Sequence, residues 1–350
     1  MEYDCLTVVC PSPPSLRCAN TVFSALEGCE TRSFSSFSET PPAGKRILFV
    51  LSLDDSGTTS EQLALLRTLR NTPHFLDGCI AGLVVDGSTD LYTKSAARDL
   101  VFAANQAGCA FPGRPLVEAA GNLHNFAVQA KNAVCTLEEA YRLAVRSLAE
   151  RILTFDPPRH QHPKLLALHA SSRRTSNTMA LWDRVRADLP ECFDIKEVGL
   201  RNGTLEDCAG CPYTTCLHFG EKGGCFYGGV IVEDVYPAVR EADAMLLICP
   251  NYNDALAANL TACINRLTAL YRTTPFTDKA LLGIVVSGYS GSDIVASQLI
   301  SALCMNKGFW LPPRFCMLET ANDAGTAVKL PGIDRRLAEF SAAIARTLCK

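Results

Sequence analysis

A stretch of this chain recurs at a fixed distance, and that constrains the fold more than any other feature of the sequence. Residues Phe75 to Gly87 (FLDGCIAGLVVDG) lie without gaps on Phe276 to Gly288 (FTDKALLGIVVSG), an offset of 201 residues. At the same offset Asn105 meets Asn306, Pro112 meets Pro313 and Glu118 meets Glu319. A register held over this distance predicts that the same supersecondary units are built twice by duplication, and that differences between the halves mark the chemistry.

Around these segments, continuous apolar runs alternate with helical patterns. In the second half the strand patterns are 163–169, 193–198, 244–249, 280–286 and 315–318. Helices are expected at 179–189, 234–241, 256–271, 293–305 and 333–348. The first half follows the same order, with strands at 6–10 and 46–53 and helices at 21–27 and 137–153. Strands apolar throughout, separated by helices, belong to parallel sheets covered on both faces, so the expectation is α/β with two doubly wound, three-layer domains. We place them at 1–155 and 164–350, joined by a proline-bearing linker at 156–163. A Cys-rich insertion at 205–230 lies in the second half only.

Bulk composition excludes several function classes. The net charge is −3 and no basic run stands out, so there is no footprint for nucleic acid. No apolar stretch reaches the length of a membrane span and the start lacks a basic signal region, which predicts a cytoplasmic protein. The 17 cysteines are odd in number and mostly scattered through apolar segments. Reduced thiols fit that pattern better than a disulfide framework.

Three loops in the second half carry chemistry. Ala170 to Thr178 (ASSRRTSNT) joins a strand end to a helix start, where unpaired N–H groups and a partial positive charge suit a phosphate. Ser171, Ser172, Arg173, Ser176, Asn177 and Thr178 add donors; the alternative is a capped helix beside a solvated loop. At the next strand end Pro250, Asn251, Tyr252, Asn253 and Asp254 set amides beside a ring that can stack on a heterocycle. At the third, Ser287, Gly288, Tyr289 and Gly291 allow close backbone approach. Together they describe a mononucleotide slot at the carboxyl ends of one parallel sheet. No residue pattern points to a catalytic acid, base or nucleophile. Cys208, Cys211, Cys216 and Cys225 are close enough in sequence to act together as ligands of a [4Fe–4S] cluster or a zinc ion, or as unligated redox thiols.

The order of these motifs resembles the NADPH-dependent FMN reductase family and its iron–sulfur flavoprotein relatives. Ser171, Arg173, Asn177 and Thr178 match the family's phosphate loop, Pro250 and Tyr252 its Pro-x-Tyr turn, and Ile264 to Arg266 its Ile-Asp-Arg helix end. The likeness spans most of 163–325. It implies a flavodoxin-like fold, bound FMN, a reduced nicotinamide, NAD(P)H, or a protein as electron donor, and transfer of electrons to an acceptor. Two positions depart from the pattern. Ala170 stands where glycine is usual, strained if φ there is positive, and Asn265 replaces an aspartate.

The first half differs at each loop. Three prolines in Pro11 to Thr21 remove N–H donors, and Asp54 and Asp55 put carboxylates at the second turn. It reads as a domain that has lost its cofactor. Because members of the family dimerise near the flavin, it also reads as a built-in partner, giving a pseudo-dimer within one chain, with a homodimer as a further option. Rival readings are a pure electron-transfer iron–sulfur flavoprotein and a non-catalytic, zinc-stapled interaction protein with a vacant flavin slot.

Overall fold

The structure is a computed structural model, which describes residues 5–34, 46–171 and 175–350. It divides into two compact units: Met1–Asp156 with Leu311–Arg314, and Pro157–Trp310 with Phe315–Lys350.

In the first unit the strands are β1 (Leu6–Val9), β2 (Thr31–Phe34), β3 (Arg46–Leu53), β4 (Ile80–Gly87) and β5 (Leu116–Ala120). Its helices are α1 (Leu16–Ala25), α2 (Ser60–Asn71), α3 (Thr93–Gln106), α4 (Ala127–Ala133) and α5 (Leu137–Thr154). The strands pair in parallel in the order β2-β1-β3-β4-β5. Thr136 starts α5 by accepting from the Glu139 N–H, and Thr59 does the same for Gln62 at α2; both follow the Thr-x-x-Glu/Gln spacing of a capping box. Tyr141, Val145, Leu148 and Ile152 of α5 are fully buried against the sheet with Leu6, Val8, Leu48 and Val50.

In the second unit the strands are β6 (Lys164–His169), β7 (Asp194–Gly199), β8 (Ala244–Pro250), β9 (Ala280–Ser287) and β10 (Cys316–Thr320). The helices are α6 (Asn177–Asp188), α7 (Tyr213–Glu221), α8 (Tyr236–Glu241), α9 (Ala258–Tyr271), α10 (Ser292–Leu299) and α11 (Ile333–Leu348). The parallel order is β10-β9-β8-β6-β7. Counted along each unit, both sheets run 2-1-3-4-5, the flavodoxin-like order, with the switch point between the first and third strands. Every residue of β9 is buried, as its unbroken apolar run requires. Within it Gly283 leaves room for Cys316 Sγ, which would lie 2.8 Å from an added Cβ. Trp182 and Trp310 are packing residues, each at most 1 % exposed.

Three expectations need correction. The first helix covers Leu16–Ala25 rather than 21–27, because Ser15 caps it by accepting from the Cys18 N–H. The helix expected at 293–305 is α-helical only to Leu299 and continues as a π-helical segment, Ile300–Met305. The Cys-rich insertion, where no helix was expected, contains helix α7, entered at Pro212. Among the described residues no helix is long and apolar enough to cross a membrane.

Candidate functional site

Three loops leave the carboxyl ends of β6, β8 and β9. The first starts from His169, which is 8 % exposed. Its Nδ1 lies 3.1 Å from the Ser171 carbonyl oxygen and its Nε2 lies 3.4 Å from Glu197 Oε1 on β7. The other Glu197 oxygen accepts from Trp182 Nε1 at 3.0 Å, so side chains of α6, β6 and β7 together hold the start of this loop. His169 is thus a satisfied histidine at a strand end. Ala170 does not adopt positive φ, which removes the strain that a missing glycine would imply. Ser172 and Arg173 lie outside the described residues.

Ser176 accepts from the Met179 N–H at 3.3 Å and caps α6, and its hydroxyl lies 2.7 Å from that of Thr178, which is 1 % exposed. Asn177 is committed elsewhere. Its Nδ2 donates to the carbonyls of Ala321 and Asp323 at 3.0 and 2.9 Å, and its Oδ1 accepts from the Ala327 N–H at 3.3 Å. The Asn side chain therefore ties this loop to the segment after β10. Ser171 Oγ is the opposite case, buried with no hydrogen-bond partner among the described residues. A cavity of about 830 Å3 opens beside it, lined by His169, Ser171, Lys196, Glu197, Arg201 and Asn202 among others, on the β7 side of the loop.

Asn251 organises the other two loops. Its Nδ2 lies within 3.1 Å of Asp254 Oδ1, Ser287 Oγ and the Ser290 carbonyl, and its own N–H donates to Val286 O at 2.9 Å. Its Oδ1 is buried without a partner. Asn253 and Asp254 both take left-handed backbone, a conformation Asn and Asp tolerate better than other side chains. Ser287 is fully buried and lies 2.8 Å from Ser292 Oγ, which in turn donates to the Glu319 carbonyl. Gly291 is required here: φ is 88°, and a Cβ would collide with Asp254 Oδ1 and Asn251 Nδ2. Tyr252 and Tyr289 are 61 % and 82 % exposed, so two aromatic rings stand in solvent at adjacent strand ends. Glu319 is scaffold, clamped by Arg336 of α11 through hydrogen bonds of 2.6 and 2.8 Å, which push the Arg336 guanidinium above its usual value.

Cys208, Cys211, Cys216 and Cys225 line one cavity of about 200 Å3 with Arg266, Arg272, Phe219 and Phe226 among others. Arg272 Nε lies 3.4 Å from Cys216 Sγ. Arg266 is 2 % exposed, donates to the carbonyls of Glu206 and Gly228, and keeps its Nε unpaired. Asn265 donates to Asp207 Oδ1 at 3.0 Å, and so braces the insertion. Among the described residues there is no group of three or more His, Cys, Asp or Glu side chains placed to hold a metal ion. The bracing roles of Asn177, Asn251 and Glu197 were not visible in sequence, because their partners are far along the chain.

The family model for NADPH-dependent FMN reductase matches residues 163–323, a little under half of the chain. The matched region lies within the second unit, which is therefore similar to the NADPH-dependent FMN reductase family. No curated relative matches the sequence. Among solved structures, RosB with a bound 8-demethyl-8-formylriboflavin-5'-phosphate intermediate is similar, with 15% identity, 53% of this chain and 78% of that chain covered and a TM-score of 0.42. NAD(P)H:quinone oxidoreductase from Methanothermobacter marburgensis shows 14% identity, coverage of 52% and 96%, and a TM-score of 0.41. For the FMN-dependent NADH-azoreductase from Bacillus anthracis the values are 12%, 52% and 99%, and 0.37.

Proposed function

We propose that the second unit binds FMN at the ends of β6, β8 and β9 and passes electrons from a reduced nicotinamide, NADPH by the family's habit, to an acceptor. One observation carries this reading. Two buried polar atoms, Ser171 Oγ and Asn251 Oδ1, have no hydrogen-bond partner among the described residues, and they belong to two of the loops at which this fold takes a mononucleotide.

FMN, when bound, supplies the hydride and electron chemistry. The chain's own residues bind and orient. The first turn of α6 offers backbone N–H groups and the positive end of a helix dipole to a phosphate, with Ser171, Ser172, Arg173, Ser176 and Thr178 as further donors. Asn177 positions this loop rather than donating to the ligand. Asn251 Oδ1 is an acceptor for a ring N–H, and Tyr252 and Tyr289 offer faces to a planar heterocycle. Pro250, Asn253 and Asp254 shape the second loop, while Ser287, Gly288 and Gly291 keep the third close to it.

The test is uptake of FMN by the cofactor-free full chain, followed by quenching of flavin fluorescence, then oxidation of NADPH and NADH with a panel of one- and two-electron acceptors. Stoichiometric uptake and faster oxidation of one nicotinamide support the reading. A protein that takes up no FMN overturns it.

The four thiols sharing a cavity with two guanidinium groups favour a second reading, in which this insertion carries an electron-transfer cluster. As placed, the thiols do not converge on a single ion, so no step is routed through a metal. Iron and sulfide in stoichiometric amount after anaerobic purification, with a broad absorbance bleached by dithionite, would establish the cluster; a clean flavin spectrum without iron would exclude it. We further infer that the common strand order and the 201-residue register record a duplication, with the first unit's cofactor site lost.

A further inference from the structure

Cys192 and Cys349 are 157 residues apart in sequence, yet their sulfurs stand 3.8 Å from each other. We propose that this pair is a site of reversible oxidation, forming a disulfide that fastens the turn after α6 to the segment after α11.

Both ends are held in place before any bond forms. Cys192 sits in the turn between α6 and β7, where the Phe193 N–H donates to Pro190 O at 3.1 Å. Cys349 follows α11 directly and donates its N–H to Ala345 O at 2.9 Å. Its neighbours are bridged to His160: the His160 N–H donates to Leu348 O at 2.7 Å, and the Lys350 N–H to His160 O at 3.1 Å. His160 is part of this mooring, and its Nδ1 lies 3.5 Å from Asp243 Oδ1. The helices that carry the two thiols also pack together, with Ser341 Oγ donating to Val185 O and Arg184 paired to Asp334 at 2.8 Å. A disulfide of about 2.05 Å then needs the sulfurs to close by about 1.8 Å.

Access separates this pair from the seven buried thiols of the chain. Cys18, Cys79, Cys109, Cys249, Cys263, Cys304 and Cys316 are at most 5 % exposed, and burial pushes the Cys263 thiol up to about 12, so they are inert. Cys192 and Cys349 are only partly buried.

The oxidant we name is a low-molecular-weight disulfide, RSSR. The Cys192 thiolate attacks one sulfur of RSSR, forming a mixed disulfide and releasing RS−. The Cys349 thiolate then attacks the Cys192 sulfur and releases the second RS−. Two protein thiols lose two electrons and two protons, and RSSR becomes two RSH. The 3.8 Å sulfur separation places Cys349 within reach of a mixed disulfide on Cys192, which makes the second step intramolecular. The closed loop contains the Asn251 and Ser287 loops and all four cysteines of the insertion, so oxidation constrains the unfolded chain around the flavin site.

The experiment treats the full chain with oxidised glutathione, alkylates the remaining thiols, and maps the digest by mass spectrometry beside a thermal melt. A Cys192–Cys349 linked peptide is expected, with a rise in Tm of about 5–10 °C that dithiothreitol reverses. Cys192→Ser should abolish the rise, and Cys349→Ser should accumulate glutathione on Cys192. Recovery of both cysteines without a link, or the same rise in Tm in Cys192→Ser, overturns the proposal. Neither outcome depends on flavin uptake, so this test and that of the flavin reading fail separately.

Discussion

The two units share a strand order and spend their strand ends in opposite ways. In the first, Arg17 reaches from α1 to Asp86 at the end of β4, with hydrogen bonds of 3.1 and 2.7 Å, and donates also to the carbonyls of Gly87 and Gly121. Asp86 is 3 % exposed, and its bonds raise the Arg17 pKa. At the 201-residue offset Asp86 corresponds to Ser287. Tyr92, left-handed at the start of α3, packs over Gly57, where a Cβ would collide with it. Asp54 is held below the usual carboxylate range by the Ser56 hydroxyl and N–H, and Asp55 accepts from Ser88 at 2.7 Å. Arg17, Asp86, Asp54 and Asp55 are thus paired at the first unit's strand ends, whereas Asn251 Oδ1 of the second has no partner among the described residues. Gln62 Oε1, in the first turn of α2, is the first unit's own unpartnered atom in this region.

The largest test of this contrast is Arg17→Ala. It strands the buried Asp86 carboxylate and should cost about 3–5 kcal/mol in denaturant unfolding while leaving FMN affinity unchanged. Loss of flavin binding in that variant would mean that the first unit supports the site after all. Next is Ser287→Asp, which transplants the first unit's carboxylate. A buried charge without an arginine should weaken FMN binding about 100-fold, read by fluorescence titration, with circular dichroism confirming the fold. Asn251→Ala removes the side-chain bridge between the second and third loops. We expect about 1–2 kcal/mol of stability and roughly tenfold in FMN affinity to be lost; an unchanged affinity would detach Asn251 from the ligand. The smallest effect belongs to Tyr252→Ala, where an exposed ring contributes to binding alone. A three- to tenfold rise in Kd with unchanged Tm is expected, about the worth of one aromatic contact. A drop in Tm instead would recast Tyr252 as packing.

Some of the site was legible in the chain and some was not. Pro250 to Asp254 and Ser287 to Gly291 could be found because local turn chemistry and unbroken apolar strands announce strand ends. The register of Phe75 to Gly87 on Phe276 to Gly288 anticipated two sheets of one kind. Helix α7 escaped notice because its tertiary contacts, not its propensity, support it: Phe219 meets Phe226 edge-on at 5.5 Å, and Arg272 lies 4.4 Å over the Tyr213 ring. Asn177 looked like a phosphate ligand, since in sequence an amide at a helix start has no visible partner. Its bonds to Ala321, Asp323 and Ala327 cross about 150 residues.

By itself the sequence determined the class of fold, the half that matches the flavin reductase family and the family it resembles, because periodicity, turn residues and motif order are local properties. Tertiary structure decided which polar atoms are already satisfied. It relieved Ala170, reassigned Asn177 to bracing, set Arg17 on Asp86 and brought Cys192 to Cys349. Each of these depends on distance between residues far apart in the chain, and hydrogen bonds and sulfur contacts act only at a few ångströms.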